Sequence, residues 1–450
     1  MRIALVYDCL YPQTVGGAER WLRELALTLA EDHEVTYLTR RQWERGEDPG
    51  LEGVECVAVS PPGELHLSDG KRRVVPTILF GAGVFLHLVR NRRRYDVVHC
   101  LSYPYVSLLG ARLALAGRAS RTRLYCEWLE CLTDGYWRGY GRWSGNLGKA
   151  LQRTCVRMTP RAIAFSDHTR RRLRECGFSG SVEVVGGLAM GCRGGGSGAT
   201  ANGAAPLVLF AGRHVPDKGI RALLEALVIA RRSQPDLQAV IVGDGPERAA
   251  VLEDIARLHL ATAVSAPGFV SREELDDLLA RATCLAYPSI RDGYGMVVAE
   301  SMAAGVPAVV CRAPDNASTE LIEEGVNGAI AEDASPGRLA AAILKVVEDA
   351  GSLRSSTATW YGENAERLSM RRSIERVLAL YDAPSGPAAR SNRSGAKQGD
   401  EAQEVGGGDT SAAGAPSGPD GRRPGALGHL EAPVDDSSPV ELGVGQGIGE

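Results

Sequence analysis

The sequence predicts an α/β protein of two similar, doubly wound halves facing each other across a cleft, followed by a tail without a core. Three observations predict it. Residues 2–7 form a short apolar run, a glycine pair and a helically spaced apolar stretch follow, and residues 34–38 form a second short apolar run. That alternation belongs to a strand–loop–helix–strand unit on a parallel sheet. The pattern starts afresh at residues 207–211, after a glycine-rich stretch. From residue 384 onward there is no aromatic residue, and Gly, Pro, Ser, Ala and acids dominate. Such a segment cannot bury enough apolar area to offset the entropy of ordering.

The elements follow in order. In the first half, Leu22, Leu25, Ala26 and Leu29 mark one face of a helix over 18–30, and residues 96–100 and 161–165 read as later strands. Residues 188–206 carry Gly194-Gly195-Gly196-Ser197-Gly198 and read as a flexible linker. The second half reads as helices over 220–231, 247–258 and 297–304, with strands at 239–242, 284–287 and 308–311. Ser271-Arg272-Glu273-Glu274 has the pattern of a capping box opening a further helix. The domains therefore fall at 1–187 and 207–358, with a terminal helix over 359–382 and a disordered, low-complexity tail over 383–450.

At 450 residues the chain is long enough for two or three domains with their own cores. Its net charge of -4 hides an asymmetry: residues 1–190 carry 27 Lys and Arg against 20 Asp and Glu, and the remainder 24 against 35. The basic half suits an anionic partner, or is simply covered by solvated arginines. The 10 cysteines show neither Cys-x-x-Cys nor zinc spacing. With no signal peptide expected, this points to a cytoplasmic chain with mostly buried thiols. No apolar run of spanning length is expected. Residues 74–89 are nevertheless strongly apolar and are flanked by Lys71, Arg72 and Arg73 and by Arg90, Arg92, Arg93 and Arg94. They read either as a buried helix with solvated ends or as a peripheral contact, through 71–94, with the inner face of a membrane.

The segment from Ser289 to Pro307 carries the most chemistry. It holds Asp292 and Glu300 on either side of Gly293-Tyr294-Gly295, at a strand-to-helix junction. Glycines let a ligand approach the backbone, and a helix N-terminus attracts an anion. An anion site flanked by carboxylates that accept hydroxyl protons suits a sugar attached to a diphosphate. Gly16-Gly17 offers a second strand-to-helix loop of that kind. Gly212-Arg213 and Lys218-Gly219 place two cations at another strand end, a fork and a point charge suited to a diphosphate. Val242-Gly243-Asp244-Gly245-Pro246 reads as a helix-initiating turn or a ligand contact, and the backbone at Phe269 and Val270 as a partner for a nucleobase. His99 ends a strand facing the cleft, and reads as a satisfied structural residue or an acceptor-side one; for His214 the structural reading is favoured. No Asp-x-Asp motif is present to hold a divalent metal. Neutralising a diphosphate then falls to Arg213, Lys218 and helix dipoles, with no metal and no cofactor expected.

This ordered set resembles the family-4 glycosyltransferases, retaining enzymes of the GT-B fold, over about residues 1–382. Its markers are Gly16-Gly17-Ala18-Glu19, Asp96-Val97-Val98-His99, Gly212-Arg213, Lys218-Gly219, Val242-Gly243-Asp244-Gly245-Pro246, the segment around Asp292, and Glu323-Glu324-Gly325-Val326-Asn327-Gly328. The resemblance implies two Rossmann-like domains, the first on the acceptor side, the second binding a nucleotide sugar, and a terminal helix crossing back to the first. It implies that Arg213 and Lys218 hold the donor diphosphate and that Glu300 accepts from the nucleotide ribose. Asp292 stands where the family's Glu-x7-Glu motif has its first glutamate, and would face the donor sugar hydroxyls. Gly293, Tyr294 and Gly295 would offer backbone N–H groups, and Gly16 and Gly17 would close on the diphosphate.

Three departures stand out. Asp292 is one methylene short, Leu101 occupies the place of a second histidine that many members carry, and Gly186-Gly187-Leu188-Ala189 replaces a polar loop. The implied reaction is metal-independent transfer of a hexose-type sugar, with retention, to a hydroxyl of a glycan, a lipid-linked or a small-molecule acceptor. The pathway class would be glycan, glycolipid or cell-envelope polysaccharide synthesis. A catalytically degenerate sugar-nucleotide-binding partner, or an epimerase or phosphorylase of the same fold, remain the alternatives. No nucleic-acid partner is expected.

Overall fold

The computed structural model describes residues 1–44, 46–47, 49–65, 72–91, 93–117, 121–189 and 205–383. Most of the predicted linker, the tail from 384 on, Lys71 and Arg92 lie outside the described residues.

The first half is one parallel sheet of seven strands, β1 (Arg2–Val6), β2 (Glu34–Arg40), β3 (Val54–Ser60), β4 (Val97–Leu101), β5 (Arg123–Trp128), β6 (Ala162–Ala164) and β7 (Val182–Val184). Their order is β3-β2-β1-β4-β5-β6-β7. The connecting helices are α1 (Gly17–Ala30), α2 (Val74–Asn91), α3 (Tyr105–Ala114), α4 (Asp134–Arg138), α5 (Arg142–Met158) and α6 (Asp167–Glu175). Helices cover both faces of such a sheet, so its strands read as continuous apolar runs. All five residues of β4 are buried.

The second half repeats the plan with β8 (Leu207–Ala211), β9 (Gln238–Val242), β10 (Val264–Gly268), β11 (Cys284–Tyr287), β13 (Ala308–Cys311) and β15 (Gly328–Ala331) in the order β10-β9-β8-β11-β13-β15. The two-residue strands β12 (Arg291–Asp292) and β14 (Asp315–Asn316) pair beside it. Its helices are α7 (Ile220–Ser233), α8 (Arg248–Arg257), α9 (Arg272–Arg281), α10 (Met296–Ala303) and α11 (Pro336–Glu348). The capping box at α9 is formed: Ser271 accepts from the Glu274 N–H, and Glu274 accepts from that of Ser271 at 2.8 Å.

Two expectations need correction. The terminal helix predicted over 359–382 is two helices, α12 (Ala350–Leu368) and α13 (Met370–Asp382), broken at Ser369. Ser369 is extended and its side chain caps α13. The break is a crossing point: the Ala189 N–H donates to the Leu368 carbonyl at 2.9 Å, and the Met370 N–H to the Ala189 carbonyl at 3.1 Å. The chain comes so close here that a Cβ on Gly187 would lie 2.6 Å from the Ser369 carbonyl oxygen. Leu188 and Ala189, assigned to the linker, are buried in this seam.

The second correction concerns α2. At 18 residues it is long and apolar enough to cross a membrane by length and composition, although no such run was expected. It buries Phe80, Gly81, Val84 and Leu88 against its own domain, while Val74, Val75, Ile78, Leu79, Phe85, Leu86 and Val89 remain exposed. At 100° per residue the exposed set falls on a single face, opposite the buried one.

From the seam, α13 returns to the first half. Tyr125 donates to the Leu380 carbonyl, Ser373 to the Val185 carbonyl at 3.0 Å, and the Tyr381 hydroxyl meets His99 Nδ1. Tyr381 and His99 are fully buried. Replacing Tyr381 by Phe leaves a buried ring nitrogen without its partner, which costs about 1–3 kcal/mol. Urea unfolding of Tyr381→Phe should show a loss of that size; an unchanged midpoint would mean that this bond does not hold the crossing helix.

Candidate active site

The strand order reverses between β1 and β4 in one sheet and between β8 and β11 in the other. In open parallel sheets the ligand crevice lies beyond the C-terminal ends of such strands. β1 runs on into the Gly16-Gly17 loop and α1, and β11 into residues 288–295 and α10. The first residues of these two helices meet, since a Cβ on Gly17 would lie 2.7 Å from the Met296 sulfur. Arg20, in the first turn of α1, reaches Glu300 of α10 at 3.2 Å. Two helix N-termini, each carrying partial positive charge, therefore converge across the boundary between the halves.

Protein carboxylates occupy this positive ground. One oxygen of Asp292 accepts from the Tyr294 N–H at 3.0 Å and from that of Gly295 at 2.6 Å. The other accepts from Lys218 Nζ at 2.7 Å and from the Tyr287 hydroxyl at 2.6 Å. Burial by itself would push the Asp292 carboxyl up; the Lys218 charge and these bonds bring it down to about 2. Burial likewise opposes the charge of Lys218, but Asp292 and Tyr287 raise its pKa well above the usual ammonium range. Two of the three backbone donors expected to face a ligand are thus taken by Asp292 in this state. Gly295 has φ 92, a left-handed conformation suited to glycine. At Gly293 a side chain would overlap the Leu129 carbonyl of the first half.

Glu300 is fully buried and receives Arg272 at 2.8 Å as well as Arg20. The Arg213 side chain is exposed and makes no hydrogen bond or ion pair among the described residues, although its charge reaches Glu19. Gly212 is tied by its N–H to the Val242 carbonyl at 3.1 Å, and the His214 N–H to the Asp244 carbonyl at 2.8 Å, so the strand ends after β8 and β9 form one floor. Asp244 is exposed there. Phe269 stands 65% exposed beyond β10, with Val270 half-buried beside it. Gly16 caps α1 without a side-chain bond.

His99 is a correction to the cleft assignment. Its ring is fully buried, with Nε2 at 2.7 Å from Glu127 and Nδ1 on Tyr381. Trp21 donates to the same Glu127 oxygen at 2.9 Å. Both ring nitrogens serve the joint between β4, β5 and α13 and none is turned to the cleft. His214 is also fully buried, beside Phe210.

The structure adds residues that sequence reasoning missed. Arg291 lies 2.9 Å from Asp217 of its own half, 3.6 Å from Glu130 of the other, and donates to the Tyr136 hydroxyl at 2.8 Å. Asp315 accepts from the backbone and hydroxyl of Thr133, at 2.8 and 2.6 Å. Arg171 reaches Glu320 at 3.2 Å. Glu130 stands two positions beyond the end of β5, the one local signal that could have singled it out. Arg20 adjoins the glycine-pair motif.

Comparison with known proteins places both halves in known families. Residues 15–186 match the model of the family described as Glycosyltransferase Family 4, and residues 199–367 that of Glycosyl transferases group 1. The alpha-D-kanosaminyltransferase of Streptomyces kanamyceticus is 30% identical over 144 residues, 32% of this chain and 37% of that protein. The chain thus spans well under two thirds of that relative. The GDP-mannose-dependent alpha-mannosyltransferase of Corynebacterium glutamicum is 26% identical over 371 residues, 80% of this chain and 84% of that protein. The fold matches that of Anabaena HepE in complex with UDP and glucose, with a TM-score of 0.63 at 19% identity over 84% of this chain and 99% of that one. The chain belongs to the GT-B glycosyltransferases of the family-4 type.

The state of Asp292 gives a pH prediction. Its folded-state pKa of about 2 lies below the ordinary 3.8, so the fold favours the ionised over the protonated carboxyl by about 2 kcal/mol, the net of burial against Lys218 and the bonds it accepts. That contribution is complete above about pH 4 and is lost as the pH falls toward 2. Denaturant unfolding between pH 6 and pH 3 should show a smaller loss of stability in Asp292→Asn than in the wild type. Equal losses would place the acid sensitivity elsewhere.

Proposed function

We propose that the chain is a retaining, metal-independent glycosyltransferase that moves a hexose-type sugar from a nucleoside diphosphate to an acceptor hydroxyl. The observation that carries this reading is the convergence of the α1 and α10 N-termini beside Arg213 and Lys218, where internal carboxylates hold the place of an anion. The relatives support it: one is named for its dependence on GDP-mannose, and the fold neighbour HepE was solved with UDP and glucose.

In this reading the donor diphosphate lies between the two helix ends. Lys218 turns from Asp292 to the phosphate, and Arg213, exposed and with no ion pair among the described residues, closes on it. Asp292 is then released to accept from the sugar hydroxyls, and Glu300 exchanges Arg20 for the ribose hydroxyls. Phe269 offers a flat face to the nucleobase. Arg213, Lys218 and the α10 dipole stabilise the charge growing on the leaving phosphate. That oxygen takes the acceptor proton on the same face, which keeps the anomeric configuration.

The apolar face of α2, with Arg73, Arg90, Arg93 and Arg94 at its ends, supports a peripheral contact with an anionic membrane surface. A cytoplasmic chain making envelope polysaccharide or glycolipid would use it to reach a lipid-linked acceptor. Wild-type protein should float with anionic liposomes at low salt and Leu79→Asp/Leu86→Asp should not; flotation of both would locate the contact elsewhere.

Removing one preorganised charge from a transition state costs about 100- to 1,000-fold in rate. Arg213→Ala and Lys218→Ala should each lose that much transfer from the true donor. Wild-type turnover by Lys218→Ala would refute its role, and donor consumption without acceptor would favour the epimerase alternative.

A further inference from the structure

A cavity of about 1080 Å³ opens at the C-terminal ends of β2 and β3. Arg40 and Ser60, the last residues of the two strands, line it and are register partners. Gln13, Thr14, Gln42 and Trp43 form its walls. Gln13 and Thr14 belong to the loop that continues into Gly16-Gly17, and the Thr14 hydroxyl donates to Gln42 at 2.8 Å. The cavity is therefore built onto the same loop as the cleft.

Its floor is unusual. Arg40 and Ser60 are each only 8% exposed, yet Arg40 Nε and the Ser60 hydroxyl are buried with no partner among the described residues. Arg40 donates one hydrogen bond, to the Gly63 carbonyl at 2.8 Å, and makes no ion pair among the described residues. Asp8, a carboxylate whose charge it feels, is paired with Arg72. Buried charges are ordinarily paired, because an unpaired one costs far more than a neutral group. Glu44 and Glu47 also line the cavity, but both are exposed. A guanidinium edge beside a hydroxyl suits a carboxylate or phosphate oxygen. The half-buried Trp43 ring and the two glutamine amides suit a pyranose. The volume is at the top of the usual range for ligand pockets, about 300–1,000 Å³, and leaves room for more than one sugar ring.

We propose that this cavity is the acceptor subsite and takes the anionic group, carboxylate or phosphate, of an acidic saccharide, with Arg40 and Ser60 as its ligands. The proposal rests on the reading of the adjoining cleft as a transferase site, and the test separates the two. Ligand-observed NMR titrations of the full chain would use glucuronate, glucose 6-phosphate, glucose and inorganic phosphate, with UDP titrated in parallel. At least one acidic sugar should bind tenfold or more tightly than glucose, and which one it is separates a carboxylate from a phosphate. Arg40→Gln should weaken that binding at least tenfold and Ser60→Ala at least threefold, while Arg40→Lys retains part of it. UDP affinity should be unchanged in all three. Ser60→Ala keeps the test open if Arg40→Gln fails to fold. Equal binding of glucose, no binding of either acidic sugar, inorganic phosphate matching glucose 6-phosphate, or undiminished binding in the folded variants would overturn the proposal. Binding of the acidic sugar without any binding of UDP would leave the subsite standing and remove the reading of the cleft.

Discussion

Two helix N-termini pointing at one another need negative charge between them. In this chain the need arises from topology: α1 leaves β1 and α10 leaves β11, strands at which their sheets reverse order. Facing the two sheets brings Gly17 against Met296 and Arg20 onto Glu300. The rest of the site answers that constraint. Glycines stand where the backbone must approach, Asp292 accepts from the Tyr294 and Gly295 N–H groups that lead into α10, Lys218 balances Asp292, and Glu300 is held between two arginines. An anionic ligand entering here replaces contacts already made to protein carboxylates. On the reading proposed above, the affinity for a diphosphate is then the difference between two sets of charge-assisted bonds.

The boundary around this point is polar. Arg291 with Glu130, Asp315 with Thr133, and Arg171 with Glu320 cross it at or near the surface. The Arg171–Glu320 pair is of the exposed kind that contributes about 0–1 kcal/mol. The polypeptide itself joins the halves at Ala189 and Ser369, where two backbone segments are hydrogen-bonded side by side. The His99–Tyr381 bond ties α13 to β4, so this histidine serves the architecture of the crossing.

Much of this was legible in the chain. The period of the apolar residues placed β8, β11 and β13 to the residue, because parallel strands are buried on both faces and read as unbroken runs. The glycine pair and the Asp292–Glu300 segment announced two helix starts, which the structure brings together. What local pattern cannot carry is the pairing of distant groups. Nothing near Arg20 points 280 positions onward to Glu300, and nothing at Lys218 says that Asp292 is its counter-ion. His99 was placed at the end of a strand, but β4 runs on to Leu101, so His99 is its central residue and meets α13, which comes from the far end of the chain. The break at Ser369 was hidden because the helical period continues on both sides of it.

The central claim is that the converging helix ends, with Glu300 between Arg20 and Arg272, form a nucleoside diphosphate site. Calorimetric titration of the purified chain with UDP and GDP tests it most directly, alongside the Glu300→Gln variant. The account predicts saturable binding of one of the two, competed by its nucleotide sugar and weakened at least tenfold by Glu300→Gln. Absence of binding by both nucleotides, or equal affinity in the variant, would contradict it.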